Sequence, residues 1–187
     1  MRTRDPERKR QQLLEGALAE FAEHGIGGAR VDRIATRAGV SAGLVYSFYE
    51  NKEGLFEAVY DSIVEQTVTA IPIDADNLPE YAGGLYDAGL QHPEVMRFVA
   101  WYALERGDSG QAERPSVAKS MAAKTAAIED AQRRGVVTGD RSAAELLALV
   151  LTVANMWQRL GEDVRGLVAE TERRRVVVDT VRQLVTP

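Results

Sequence analysis

The chain has 187 residues, of which 45% are apolar and 27% charged, with a net charge of −5 and no cysteine. These values fit a soluble globular protein of one or two domains and exclude disulfides, thiol catalysis and cysteine metal sites. His24 and His92 are the only histidines, and no apolar run approaches the roughly 20 residues of a membrane span, so no metal, cofactor or membrane partner is expected.

Basic residues open the chain without an apolar segment behind them, so no secretory signal is expected and a cytoplasmic location fits. Residues 1–60 carry nine Lys/Arg and nine Asp/Glu, which places all the excess acid beyond them. In the first ten residues Arg2, Arg4, Arg8, Lys9 and Arg10 oppose only Asp5 and Glu7. A basic arm on a neutral head with an acidic body suits a DNA reader. A solvated terminus is the alternative.

Asp5-Pro6-Glu7 has the form of a helix start, with a capping carboxylate, proline at the first helical position and an acid in the first turn. Leu13, Leu14, Ala17, Leu18 and Phe21 form its apolar stripe, and Gly25, Gly27 and Gly28 end it near His24. From Val31 to Lys52 two short apolar-periodic segments flank a tight break at Ala38-Gly39-Val40. Ile34, Ala35 and Ala38 share one face of the first segment. Gly39 can take the positive φ that ends a helix, and its smallness, with that of Ala35, would also let two helices cross closely. Ser41 stands where an N-cap belongs, and Val45, Phe48 and Tyr49 supply the apolar face of the second segment. The pattern is that of a helix-turn-helix, whose second helix enters the DNA major groove. An ordinary corner between two helices is the alternative.

Asn51 can cap a longer helix from Lys52 to about Ala70, carrying Leu55, Phe56, Val59, Ile63 and Val64. Ile71 to Asp76 breaks the helical pattern and divides the chain into domains of residues 1–70 and 71–187. Asn77 and Glu80 stand at capping-box spacing before a helix that runs to about Leu90. Further helices are expected from His92-Pro93 to about Arg106 and, after a loop at Gly107 to Gln111, from Pro115 to Arg134. Ser142 and Glu145 box the start of the most apolar helix, and a last helix covers about Glu170 to Val185. No strand is evident, so the fold is read as all-α. No Walker-type glycine loop and no G-x-S-x-G elbow occurs, and the Glu20/Glu23 and Glu162/Asp163 pairs lie where carboxylates are ordinarily just solvated. No enzyme is expected.

The segment GARVDRIATRAGVSAGLVYSFYENKEGLFEAV resembles the DNA-binding domain of the tetracycline-repressor family. The resemblance rests on Ile34-Ala35, Ala38-Gly39-Val40-Ser41, Gly43, the aromatic run from Tyr46 to Tyr49, and Lys52-Glu53 followed by Leu55. It covers about the first third of the chain; beyond that only length and helical character are similar. Arg30 stands where the family usually has Ser or Thr, Ala42 where it often has Lys, and Tyr49 where it commonly has Phe.

For DNA, the exposed positions of the second helix are expected to be Ala42, Gly43, Leu44, Ser47 and partly Tyr46. Small residues at its start let the backbone approach the groove floor. Leu44 can meet a thymine methyl and Ser47 a base edge. Tyr46 and Lys52 match family positions that hold phosphates, and the N–H groups following Ser41 offer another such contact. Arg30, Arg33 and Arg37 lie where the DNA backbone is expected to cross, Arg37 having a neighbouring acid as its alternative partner.

The resemblance further implies a pocket for a partly apolar small molecule in the second domain. Candidate lining residues are Tyr86, Met96, Phe98, Trp101, Tyr102, Met121 and Trp157, which would equally serve as a helical core. It implies a homodimer through the last two helices, with Val153 and Val177 on the paired faces, suited to a palindromic double-stranded operator. The function so implied is a dimeric repressor released from DNA by its ligand. A ligand-independent DNA-organising protein of the same fold is the alternative.

Overall fold

The computed structural model describes residues 6–106 and 114–187, whose ordered elements are all helices. In chain order these are α1 (Pro6–Gly28), α2 (Val31–Arg37), α3 (Ala42–Phe48), α4 (Lys52–Ala70), α5 (Leu78–Gln91), α6 (Pro93–Arg106), α7 (Pro115–Arg133), α8 (Ala143–Arg159), α9 (Glu162–Arg165) and α10 (Glu170–Val185). The expected cap Asp5, Arg2 and Arg4 of the basic arm, and the expected loop at Gly107 to Gln111 lie outside the described residues. Among the described residues no helix is long and apolar enough to cross a membrane.

The helices sort into two compact units. One comprises the described part of Met1–Gln66 with Pro93–Arg114, and the other comprises Thr67–His92 with Pro115–Pro187. The division therefore falls within α4, between Gln66 and Thr67, and α6 belongs with the N-terminal helices.

In the first unit the stripe of α1 is buried as its spacing requires: Leu13, Ala17 and Phe21 are wholly inaccessible. They meet Ile34 and Ala35 of α2, Val45 of α3, and Leu55, Phe56 and Val59 of α4. Phe98 of α6 completes this core, its ring centroid 4.9 Å from that of Phe56. Where α1 crosses α2 the close approach is made by Gly16, not Gly39. A Cβ on Gly16 would lie 3.0 Å from the Ala38 nitrogen, whereas one on Gly39 would meet nothing within 4 Å. Gly39 is needed instead for its φ of 64°, which an L side chain adopts only at a cost. Gly25, at φ 63°, interrupts α1, and a Cβ there would come within 2.9 Å of the Trp101 ring.

Two ends of α6 and of the segment that follows it converge on Glu57 of α4. Arg106 Nε lies 2.7 Å from Glu57 Oε1, while Arg114 pairs with the other carboxylate oxygen and with Asp61 at 2.9 Å. Arg114 also lies over the rings of Tyr60 and Tyr102, at 5.2 Å and 5.6 Å from their centroids. A guanidinium held by two carboxylates and two rings fixes the start of the chain leading to α7.

In the second unit α5, α7, α8 and α10 enclose Leu78, Tyr81, Leu85, Ile128, Leu146, Val150, Ala154, Val177 and Val181. Helices α5 and α10 meet at Gly83, where a Cβ would lie 2.9 Å from the Arg174 guanidinium. That guanidinium bonds Asp87 at 2.8 Å and Glu80 at 2.9 Å. The engagement of Glu80 explains why the expected box at Asn77 does not form: Asn77 makes no side-chain cap. At Ser142 the box does form. Glu145 N–H donates to Ser142 Oγ at 3.3 Å, and Ser142 N–H donates to Glu145 Oε2 at 2.8 Å. Hydrogen bonds from Ser142 hold the Glu145 carboxyl below its ordinary pKa. The connection after α8 contains the single turn α9, which the sequence pattern leaves unmarked.

Candidate nucleic-acid interface

The turn between α2 and α3 is closed by backbone bonds: Gly39 N–H reaches Thr36 O at 3.2 Å and Val40 N–H reaches Ala35 O at 2.9 Å. Ser41 then caps α3, its Oγ accepting the Leu44 N–H at 3.3 Å. The inward face of α3 is held by Val45, 2% exposed. Ala42, Gly43, Tyr46 and Ser47 are exposed, and Leu44 is half-buried. A Cβ on Gly43 would meet nothing within 4 Å, so nothing inside the chain requires glycine there. Tyr46 is 57% exposed, and Ser47 Oγ donates to Leu44 O at 2.7 Å.

The orientation of α2 is set by one carboxylate the sequence pattern did not single out for that role. Glu20 of α1 is wholly buried. It accepts Arg33 Nε at 2.6 Å and the Arg30 backbone N–H at 3.2 Å, with Arg37 Nε at 3.2 Å from its second oxygen. Arg37 also pairs with Glu23. Of the three arginines expected near DNA, Arg33 and Arg37 are thus engaged inside the unit. Arg33 in addition donates to Gly28 O at 2.8 Å. Arg30 occupies the N-cap position of α2 without capping it, and its guanidinium pairs with the exposed Asp32 at 3.1 Å. Lys52 Nζ donates to Ala29 O at 3.1 Å, tying the start of α4 to the turn before α2. Glu20, Glu23 and His24 cluster closely, but the arginines already neutralise both carboxylates.

The candidate ligand residues divide between the units. Phe98, Trp101, Tyr102 and Met96 lie on α6 in the first. Phe98 and Tyr102 belong to the buried core there, Tyr102 donating to Glu57 Oε2 at 2.9 Å, and Trp101 is packed on Gly25. Tyr86, Met121 and Trp157 lie in the second unit. Trp157 Nε1 donates to Arg173 O at 3.2 Å, and the Tyr86 and Trp157 side chains are buried. On α10, Val177 is wholly buried within its own chain, because Val177 and Val181 pack inward on α5 and α8. Leu149, Leu151, Val153, Met156, Val176 and Leu184 are the half-buried apolar residues on α8 and α10.

A capped helix with a small, unobstructed outer face, set on a latched partner helix, defines a helix-turn-helix DNA-binding protein. Residues 13–59 match the model of bacterial regulatory proteins of the tetR family, and residues 77–183 match the tetracyclin repressor-like C-terminal domain. The HTH-type transcriptional repressor SCO4008 of Streptomyces coelicolor is 37% identical over 155 residues, covering 83% of this chain and 81% of that protein. The structure of the transcriptional regulator SCO4942 of Streptomyces coelicolor superposes with a TM-score of 0.81 at 32% identity, covering 95% of this chain and 98% of the other. FadR of Bacillus subtilis, in complex with stearoyl-CoA, shares the fold with a TM-score of 0.67 at 12% identity, covering 92% of this chain and 97% of the other. The chain belongs to the TetR family of bacterial transcriptional regulators. It is a regulator of transcription and not an enzyme.

Proposed function

We propose that the chain is a homodimeric repressor that holds a palindromic operator through α3 of each subunit. A small, partly apolar molecule bound in the Thr67–His92 and Pro115–Pro187 unit releases it. The observation that carries the DNA half is the outer face of α3, where Ala42, Gly43 and Ser47 are exposed on a helix whose other face is locked by Val45. Leu44 and Ser47 face base edges, Tyr46 and Lys52 face phosphates, and the latched α2 presents Arg30 beside them.

The repressor sense is supported by SCO4008, a named repressor, and a ligand-carrying role by the stearoyl-CoA complex of FadR. Helix α4 begins at the Asn51 cap just after α3, where Gly54 N–H donates to Asn51 Oδ1 at 2.7 Å, and its last turn belongs to the second unit. A ligand that shifts that last turn changes the separation of two recognition helices, which a duplex holds at roughly 34–36 Å. The dimer would use the half-buried residues of α8 and α10, Val153 and Val176 among them.

Selection of duplexes from a random pool by the full chain tests this reading. The selected sequences should be two-fold symmetric, with half-sites one helical turn apart. A ligand that quenches Trp157 should lower affinity for them, and the duplex should lower ligand affinity by the same factor. Asymmetric single sites, or a ligand that binds without changing DNA affinity, would contradict it.

A further inference from the structure

The second unit buries a lysine without an anion to meet it. Lys124 of α7 is 7% exposed, yet among the described residues its ammonium has no hydrogen bond and no ion pair. The Tyr81 ring centroid lies 6.0 Å from Nζ, at the outer limit of a cation–π contact. Burial lowers the Lys124 pKa and pushes the Tyr81 phenol up to about 12. Two arginines of this unit are matched: Arg174 meets Asp87 and Glu80, and Arg134 meets Asp76 and Asp130.

Two further polar atoms beside Lys124 are buried without a partner. One is the Tyr81 hydroxyl, and the other is Ser120 Oγ, one turn before Lys124 on the same face of α7. The phenol and the hydroxyl are buried donors without an acceptor, and the Lys124 ammonium is a third donor that no acceptor meets among the described residues. Buried polar groups are ordinarily satisfied, so an unsatisfied set marks either a fault of packing or the place of a missing partner. Met121 and Ile128 flank Lys124 three and four residues away along that face, Ile128 in the apolar core of the unit and Met121 half-buried against it. Polar atoms of one sign at the end of an apolar wall are what an amphiphilic anion requires.

We propose that Lys124, Tyr81 and Ser120 form the polar end of a ligand site that takes the carboxylate of a small, mostly apolar organic acid. Its hydrocarbon body lies along the half-buried Met121. This deepens the reading of the second unit as ligand-binding and rests on it.

Octanoate, octanol and octylammonium are the probes, titrated into the full chain by calorimetry with Trp157 fluorescence as a second signal. Octanoate should bind most tightly and octylammonium least. Lys124→Met should weaken octanoate at least about tenfold and leave octanol unchanged, and Tyr81→Phe should weaken octanoate alone. Without ligand, Lys124→Met should melt at or above the temperature of the unaltered chain. Equal binding of octanoate and octanol, failure of octanoate to bind, undiminished octanoate affinity in Lys124→Met, or a lowered melting temperature for that variant each overturns the site. DNA affinity separates this proposal from the functional reading beneath it. Octanoate that binds through Lys124 yet leaves DNA affinity unchanged supports the anion site and refutes release. Octanol that releases DNA while octanoate does not bind supports release and refutes the anion site.

Discussion

Arg33 Nε lies 2.6 Å from Glu20 Oε1, and the carboxylate it meets is wholly buried between α1 and α2. The same oxygen accepts the Arg30 backbone N–H, so one side chain of α1 fixes both the entry and the middle of α2. Glu20→Ala should therefore cost about 2–3 kcal/mol, the range for hydrogen bonds to a charged group together with a donor left unmatched. Urea unfolding measures it. Arg33→Ala should lower stability by a similar route while leaving the salt dependence of DNA binding nearly unchanged. A slope reduced by a full phosphate contact would return Arg33 to the interface.

Lys52 and Tyr46 separate charge from hydrogen bonding. Lys52 Nζ sits on the Ala29 carbonyl with donors to spare, and Tyr46 is open to solvent. Lys52→Ala should weaken binding to all sequences and reduce the slope of log affinity against log salt by roughly 0.9. Tyr46→Phe should weaken binding without changing that slope. Binding measured across a salt series distinguishes the two, and equal slopes for all three proteins would remove Lys52 from the phosphate contacts.

Val153 and Val177 are expected to respond differently to the same change. Val177 is sealed inside its own chain, so Val177→Glu buries an unpaired carboxylate and should unfold the second unit. Val153 is only half-buried, so Val153→Glu should keep its helicity and shift sedimentation from dimer to monomer. A folded dimer for Val153→Glu would move the interface off this part of α8.

Periodicity made most of the helices legible, because each buries one face and the spacing of Leu13, Ala17 and Phe21 or of Leu146, Val150 and Ala154 announces that face. Local capping was legible only where no distant partner competes: Ser142 and Glu145 bond each other, whereas Glu80 is drawn to Arg174, which lies 94 positions away in the chain. The turn at Gly39 and the cap at Ser41 could be read for the same local reason. Contacts between distant segments could not. Nothing near Glu20 in the chain signals that it will meet Arg33 and Arg37, and nothing near Gly16 signals that Ala38 will press against it. An aromatic on α6 looks the same whether it lines a pocket or, as with Phe98, packs against Phe56 in a core.

The most direct test of the account is Gly43→Leu on the outer face of α3. A Cβ there meets nothing within 4 Å, and leucine favours a helix over glycine by roughly 0.5–1 kcal/mol, so the variant should melt at or above the temperature of the unaltered chain. In the major groove the same side chain would hold the backbone away from the bases, and affinity for a selected duplex should fall by about tenfold or more. A variant with raised stability and lost DNA binding is the predicted result. Undiminished affinity for the same duplex would contradict the claim that this face of α3 reads DNA.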